Sequence, residues 1–319
     1  MPRASAIEPF LRRRPPPEAQ RWAEAAVGRG ARITAARRLR GGASSAMHAV
    51  DVVDARGRTQ RLVLRRYARA GWLALEPDLA EREARVLALL DGSGVPAPRL
   101  VAVDAEGSTC DVPAVLMTRL PGRVDFVPRD MDSWLRQLAE ALPAIHAVDR
   151  RARALVQPYR PYYDARSFQP PRWSPNPRLW QRAVEVLSGP APRTKRCFIH
   201  RDYHPGNVLW SRGRLSGVID WTDASSGPPQ VDVAHCRLNL ALLHGVAAAG
   251  RFLAAYETAT GRRSGPQQPY WDLVAALDSG FAHETRVYGG WRDAGVRGLT
   301  IARLRSRLEE HVAGALARL

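Results

Sequence analysis

Phe198-Ile199-His200-Arg201-Asp202-Tyr203-His204-Pro205-Gly206-Asn207-Val208-Leu209-Trp210, followed by Gly217-Val218-Ile219-Asp220-Trp221, carries more information than any other part of the chain. It holds an H-x-D-x-x-x-x-N pattern and then an aspartate that ends an apolar, strand-like run. Phosphoryl transfer asks little of a protein. One carboxylate must orient the attacking hydroxyl and accept its proton, and oxygen ligands must hold the metal that bridges the phosphates. Asp202 suits the first task. Asn207 and Asp220 offer a neutral and a charged oxygen of the kind a hard cation such as Mg²⁺ takes. The five steps from Asp202 to Asn207 allow a loop that folds back on itself. The thirteen from Asn207 to Asp220 allow a tight hairpin that returns Asp220 to the same place.

Upstream of this stretch the texture is that of strands. Ala46–Val53 and Gln60–Arg66 are apolar-rich runs around the turn Asp54-Ala55-Arg56-Gly57, and they predict a hairpin. The small-residue loop Leu39–Ser45 precedes it. Leu79, Val86, Leu87 and Leu90 recur at helical spacing and predict a helix over Asp78–Leu90, stopped by Asp91-Gly92-Ser93-Gly94. Short strands are expected near Arg99–Val103 and Ala114–Thr118, before Leu120-Pro121-Gly122. Beyond that point the pattern turns helical, with helices expected at Asp132–Val148, Arg178–Leu187, Val231–Leu243, Gly250–Thr260, Trp271–Glu284 and Leu299–Leu319. The proline-rich Tyr159–Pro177 reads as an irregular excursion. A mostly β first part and a helical second part make an α+β arrangement.

The 319 residues carry 48 Lys+Arg against 31 Asp+Glu, a net charge of +17, and Lys195 is the single lysine. Residues 1–120 hold 20 basic and 13 acidic groups and residues 121–319 hold 28 and 18, so the excess is spread over the whole chain. That distribution suits a charged surface better than a dedicated nucleic-acid module. Three distant cysteines, Cys110, Cys197 and Cys236, offer neither a disulfide framework nor a zinc ribbon. No apolar run approaches the roughly 20 residues of a membrane helix. The N-terminus lacks the apolar core of a secretory signal, so a cytoplasmic protein with no membrane partner is expected.

His200-Arg201-Asp202 through Asn207, with Asp220, resembles the catalytic signature of the aminoglycoside phosphotransferase family of small-molecule kinases, relatives of the protein kinases. Gly227-Pro228-Pro229-Gln230-Val231-Asp232-Val233-Ala234 is similar to that family's G-x-P-x-x-D-x-A segment. Gly41-Gly42-Ala43-Ser44-Ser45 sits where the family has its nucleotide loop, and Leu62–Arg66 where it has its phosphate-anchoring strand. Arg82-Glu83 opens a family-like helix, and Met117–Gly122 resembles the interlobe hinge. The resemblance implies a bilobal protein-kinase-like fold. A β-rich nucleotide-binding lobe would span 1–120, and a helical catalytic and substrate-binding lobe 121–319. It implies transfer of the γ-phosphoryl group of ATP, or GTP, with Mg²⁺, to a hydroxyl of a small molecule, an aminoglycoside or other antibiotic among the candidates. Asp202 would then be the catalytic base, and Asn207 and Asp220 metal ligands. Gly41, Gly42, Ser44 and Ser45 would line the nucleotide, with Met117 and the backbone near Arg119 and Leu120 at the base. Arg65 would anchor the phosphates and pair with Glu83. Here the chain departs from the family, which uses lysine at that strand. Arg65 or Arg66 must serve, and strand alternation favours Arg65.

Several residues take plainer readings. His200 shapes its loop and Asp232 braces it. His200, Asp202 and His204 could suggest a zinc site, but no further histidine or cysteine cluster lies nearby in sequence. Trp134, Trp173, Trp180 and Trp271 read as core, Trp221 as packing, Cys197 and Cys236 as buried, and the arginines over Arg297–Arg318 as the solvated face of a final helix. Asp223, Asp272, Asp278, Glu284 and Asp293 are candidate acceptor contacts, in a segment with no evident carboxylate lining for a polycation. The chain is expected to act as a monomer or homodimer. Two rival classes remain: a catalytically silent kinase-like binding module, and a charge-driven nucleic-acid binder, which would show steep salt dependence.

Overall fold

A computed structural model describes residues 14–39, 45–149, 153–263, 265 and 267–319. The chain divides into two compact units, Met1–Pro121 with Ile219–Thr222, and Gly122–Val218 with Asp223–Leu319.

The first unit runs α1 (Pro17–Val27), β1 (Arg32–Arg38), β2 (Ala46–Val53), β3 (Thr59–Arg66), α2 (Leu79–Leu90), β4 (Leu100–Asp104) and β5 (Ala114–Thr118). Its five strands form an antiparallel sheet in the order β1-β2-β3-β5-β4. The expected hairpin is β2–β3, with Val53 opposite Thr59 and Gly57 turning at φ 76°. Alternation decides what each face receives. Leu62 and Leu64 of β3 join Val50, Val52 and Leu116 in a core cluster with Ala19 and Ala23 of α1. Residues of opposite parity, Arg65 among them, face the other way. Helix α1 was not apparent in the sequence, because its buried face consists only of the small residues Ala19 and Ala23.

The second unit contains β6 (Arg123–Val124), α3 (Met131–His146), α4 (Pro177–Ser188), β7 (Cys197–Ile199), β8 (Val208–Ser211), β9 (Arg214–Val218), β10 (Ser225–Gly227), α5 (Gln230–His244), α6 (Val246–Thr260), α7 (Gln267–Asp278) and α8 (Ile301–Leu316). β7 pairs with β10, and β6, β8 and β9 form a small sheet. α5 is buried on nearly every face and packs against α6, α7 and α8. Around it Trp180, Leu238, Leu242, Trp271, Leu304 and Leu308 share one apolar core, each such side chain contributing about 1.5–3 kcal/mol over exposure.

Several expectations shift. α6 starts at Val246 rather than Gly250, directly after Gly245 breaks α5 at φ 90°. α7 runs Gln267–Asp278 and stops six residues short of Glu284, where Gly280 adopts φ 72°. Tyr159–Pro177 is irregular as read, apart from a 3₁₀ turn at Ala165–Ser167. Trp134, Trp180, Trp221 and Trp271 are buried and Trp173 is partly so, whereas Cys197 is half-buried rather than fully buried. The C-terminal arginines are not all solvated. Arg307 Nη1 donates to the Leu242 and Leu243 carbonyls at 2.8 Å, and Arg318 Nη2 pairs with the buried Asp272 at 2.9 Å. Among the described residues, no helix is long and apolar enough to cross a membrane.

Candidate active site

In the second unit the chain leaves β7 at His200 and passes through Arg201 at φ 70°, a left-handed backbone that side chains disfavour. Asp232 holds this strained turn from the first turn of α5. It is fully buried, and it accepts the His200 N–H at 2.9 Å and the Arg201 N–H at 2.6 Å. His146, at the end of α3, brings its Nε2 to 3.1 Å from the same carboxylate. The Arg201 guanidinium lies 3.9 Å from the centre of the Tyr162 ring and donates to the Arg160 carbonyl at 2.7 Å. Buried Tyr203 donates its hydroxyl to the Leu138 carbonyl at 2.8 Å, tying the loop to α3. The loop conformation is therefore set from three sides before Asp202 is considered.

Asp202 is half-buried and rich in donors. Asn207 Nδ2 donates to the Asp202 main-chain carbonyl at 2.9 Å and to its Oδ2 at 2.8 Å, which turns the Asn207 amide oxygen away from the carboxylate. His235 Nε2 lies 3.0 Å from Oδ1, and His204 Nε2 lies 3.7 Å from Oδ2. Burial alone would push the Asp202 carboxyl up, but the imidazoles of His204 and His235 outweigh it and hold the group well below the usual carboxylate range. His204 Nδ1 accepts the Gly206 N–H at 3.1 Å, so the ring proton of neutral His204 sits on Nε2, facing Asp202. Gly206 is required there, since a Cβ would fall 2.5 Å from His204 Cε1.

The ligand atoms of Asp202, His204 and His235 all lie within 4.8 Å of one another. The sequence suggested His200 with Asp202 and His204; in the structure His235, from α5, takes the place of His200. A metal on His204 Nε2 would need Nδ1 to donate outward. That nitrogen accepts instead, so His204 is not set up as a metal ligand, and of the two imidazoles it is His235 that lies within hydrogen-bond distance of the carboxylate.

In the first unit, Arg65 and Arg66 separate cleanly. Arg65 is 3% exposed, and its Nη1 lies 2.7 Å from Glu83 Oε1 and 2.8 Å from Asp220 Oδ1, while Nε donates to Ser45 Oγ at 3.0 Å. Arg66 pairs with Asp111. Tyr67 donates its hydroxyl to Glu83 Oε2 at 2.6 Å, and its ring lies 5.0 Å from the Arg65 guanidinium. Burial lowers the proton affinity of Arg65, but Asp220 and Glu83 raise it further, so the group stays charged. Burial dominates at Glu83 and raises its carboxyl despite Arg65. Asp220 adopts φ 68° and accepts from Thr222 Oγ1 at 3.3 Å. Val208 pairs with Val218, so the β8–β9 hairpin brings the chain back one residue past Asn207 and two short of Asp220.

Other sequence candidates fall differently. Gly41, Gly42 and Ser44 lie outside the described residues. Met117 is buried in β5. The Arg119 N–H donates to the Arg61 carbonyl at 2.9 Å and its side chain pairs with Asp51 at 3.1 Å, so that N–H is taken up within the sheet; Leu120 follows it as the last residue before Pro121. Asp272 is fully buried between Arg237 and Arg318, which makes it an internal brace and not an acceptor contact. Asp278 Oδ1 accepts the Tyr162 and Tyr163 N–H groups at 2.5 and 3.0 Å. Tyr67, His146 and His235 were missed in the sequence. Tyr67 lies two residues past Arg65 and shares its parity, and His235 lies three past Asp232 on the same helix face. His146 had no comparable signal.

A profile of the phosphotransferase enzyme family (APH) matches residues 35–277. An N-acetylmuramate/N-acetylglucosamine kinase of Pseudomonas aeruginosa is 30% identical over 163 residues, which cover 47% of this chain and 46% of that protein. The match thus spans about half the length of this curated relative. Among solved structures, a macrolide 2'-phosphotransferase type I superposes with a TM-score of 0.58 at 24% identity, over 94% of this chain and 96% of that one. A thermostable mutant of an aminoglycoside phosphotransferase, in ternary complex with ADP and hygromycin B, gives 0.56 at 19% identity, over 88% and 94%. These likenesses show the fold. It is the α+β, kinase-like fold expected from the sequence, with a β-sheet N-terminal region and a helical C-terminal region.

Proposed function

Because this chain belongs to the phosphotransferase enzyme family, we propose that it is a small-molecule kinase, which moves the γ-phosphoryl group of ATP, or of GTP, to a hydroxyl of a small acceptor. The observation that carries the reading is the setting of Asp202. Its carboxylate is joined to Asn207 at 2.8 Å and to His235 at 3.0 Å, on a loop whose left-handed turn Asp232 holds from behind. A carboxylate held below the usual range is a weak proton acceptor but a good orienting anion. That suits a loose transition state in which the proton leaves late.

Asp202 would accept the hydrogen bond of the acceptor hydroxyl and point its oxygen at the phosphorus. Arg65 would set its fixed positive charge against the phosphates, and Glu83 and Tyr67 keep its guanidinium in place. The donor chemistry of Asn207 and Asp220 fits a hard divalent cation. The Asn207 amide hydrogens both go to Asp202, which leaves its oxygen as the ligand end, and the Asp220 side chain is 35% exposed. Mg²⁺ held by these two residues would supply neutralisation of phosphate charge.

The acceptor region we assign to the cavity of about 360 Å³ lined by Tyr163, Phe168, Tyr270, Val274, Leu277 and Asp278. The segment that forms its wall is tied to the loop by Arg201 over the Tyr162 ring and to α7 by Asp278, which accepts the Tyr162 and Tyr163 N–H groups. The lining is mainly aromatic and aliphatic, with Asp164 and Asp278 as its carboxylates, and it suits a hydroxylated compound with an apolar face.

A screen of hydroxylated small molecules with ATP and Mg²⁺, read by mass spectrometry, tests the function. One acceptor gaining a phosphoryl group with stoichiometric ADP is expected. Neither phosphorylated product nor nucleotide consumption above background across sugars, macrolides and aminoglycosides would argue for a silent binding module instead.

A further inference from the structure

Helix α5 meets the Asp202 loop with two side chains three residues apart. Asp232 takes the loop's backbone N–H groups just before Asp202, at 2.9 and 2.6 Å. His235, one turn on and on the same face, takes the carboxylate itself, with Nε2 3.0 Å from Oδ1. The family signature ends at Ala234, and nothing in it calls for a histidine at the next position.

We propose that His235 is a positioning residue for Asp202, one that fixes the rotation of the carboxylate during phosphoryl transfer; this rests on the kinase reading above. The geometry leaves a distinct job for it. Asn207 and, at longer range, His204 approach only Oδ2, at 2.8 and 3.7 Å. Without His235, Oδ1 loses its strongest protein donor and the carboxylate is free to turn about its Cβ–Cγ bond. With it, both oxygens are tethered, and the plane of the carboxylate is set by two different elements, the loop and α5. Small angular errors in a group that aims a nucleophile lower the rate directly.

The surroundings of His235 favour this role. Its imidazole is one quarter exposed. The groups that face it are Asp202 and His204 from the loop, Asp232 from α5 itself and Asp278 from α7. Burial draws its proton affinity down, but the bond to Asp202 and the three nearby carboxylates raise it above the ordinary 6.5. When the ring is protonated, His235 and Asp202 form an ion pair that weakens the carboxylate as an acceptor. When it is neutral, the Nε2–H still orients Oδ1. The acid limb of the rate profile should therefore carry the signature of His235.

The test uses the full chain with ATP and Mg²⁺, following slow ADP release to water, and in parallel histidine nitrogen NMR. His235→Ala should lower kcat roughly 10–50-fold with KM for ATP within about twofold. His235→Gln places an amide N–H where Nε2 was, and should restore kcat to within about fivefold of the wild type. In both variants the acid limb of kcat against pH should move. In the NMR arm, Asp202→Asn should lower the titration midpoint of one histidine. Unchanged kcat in His235→Ala overturns the proposal. So does a loss that His235→Gln does not restore and that leaves the pH profile in place, since packing alone would then explain it. Absence of any nucleotide turnover in the wild type instead rejects the kinase reading, and the proposal with it. A histidine titration unmoved by Asp202→Asn removes the pairing while leaving the kinase reading intact.

Discussion

Glu83 and Asp202 are both carboxylates set against nitrogen-bearing side chains, yet their proton affinities move in opposite directions. Glu83 is 1% exposed and shares one guanidinium, Arg65, with Asp220. One shared positive charge does not offset the burial of Glu83 and the negative charge of Asp220 beside it, so the Glu83 carboxyl rises. Asp202 is 36% exposed at its side chain and is approached by two imidazoles and an amide. There the donors win and the carboxyl falls. Two imidazoles outweigh burial at one half-exposed carboxylate, whereas one guanidinium shared between two carboxylates does not outweigh it at Glu83. The consequence is a division of labour. The first cluster fixes a charge in place, and the second keeps a carboxylate ionised where a hydroxyl can reach it.

The sharpest way to break this comparison is to remove the shared cation. Arg65→Met leaves Glu83 buried beside Asp220 with no positive partner, and should cost about 3–5 kcal/mol by chemical denaturation, together with weaker ATP binding. A loss under about 1 kcal/mol would mean that the two carboxylates do not depend on Arg65. In the second cluster, Asp232→Asn keeps an acceptor for one loop N–H but removes the charge that serves His200, Arg201 and His146 together. We expect roughly 1.5–3 kcal/mol of destabilisation, with faster amide exchange at Arg201. Gly206→Ala should be milder, about 1 kcal/mol. Its Cβ must displace the His204 ring, which would be read as a chemical-shift change at that imidazole.

The smallest effects are in pH dependence, and they carry opposite signs. Between 4.5 and its raised folded value, Glu83 holds a proton in the native state that the unfolded chain has released. Stability therefore falls as pH rises through that window, and Glu83→Gln should remove the slope. For Asp202 the native state has released a proton that the unfolded chain still holds below about 3.8. Its contribution is present above that value and is lost as pH falls toward the lower folded one. Asp202→Asn should flatten stability on the acid side only. Slopes of the same sign for both variants would contradict the comparison.

Much of this was legible in the residues. The β2–β3 hairpin, α2, β5 and α5 follow from alternation and helical spacing, and Asp202, Asn207 and Asp220 from their spacing and chemistry. What escaped has physical causes. α1 buries only alanines, so its periodicity is faint. α7 shifts toward its N-terminus because Pro269 fits a first helical turn and Gly280 ends the run. Asp272 reads as a candidate acceptor contact and is instead sealed by Arg237 and Arg318, which come from 35 and 46 residues away. His235 contacts Asp202 from a different element; its spacing from Asp232 marks a shared helix face but not the carboxylate it meets. Long-range partners decide what a titratable side chain does, and a single sequence does not show them.

The central claim, that Asp202 orients a hydroxyl for phosphoryl transfer, is tested most directly by one measurement: ADP formation from ATP and Mg²⁺ by the wild type and by Asp202→Asn, at nucleotide concentrations that saturate both. The asparagine keeps the size of the side chain and loses the charge. The account predicts a fall in kcat of about 10²–10⁴-fold with ATP affinity preserved. Equal rates in the two proteins would contradict it.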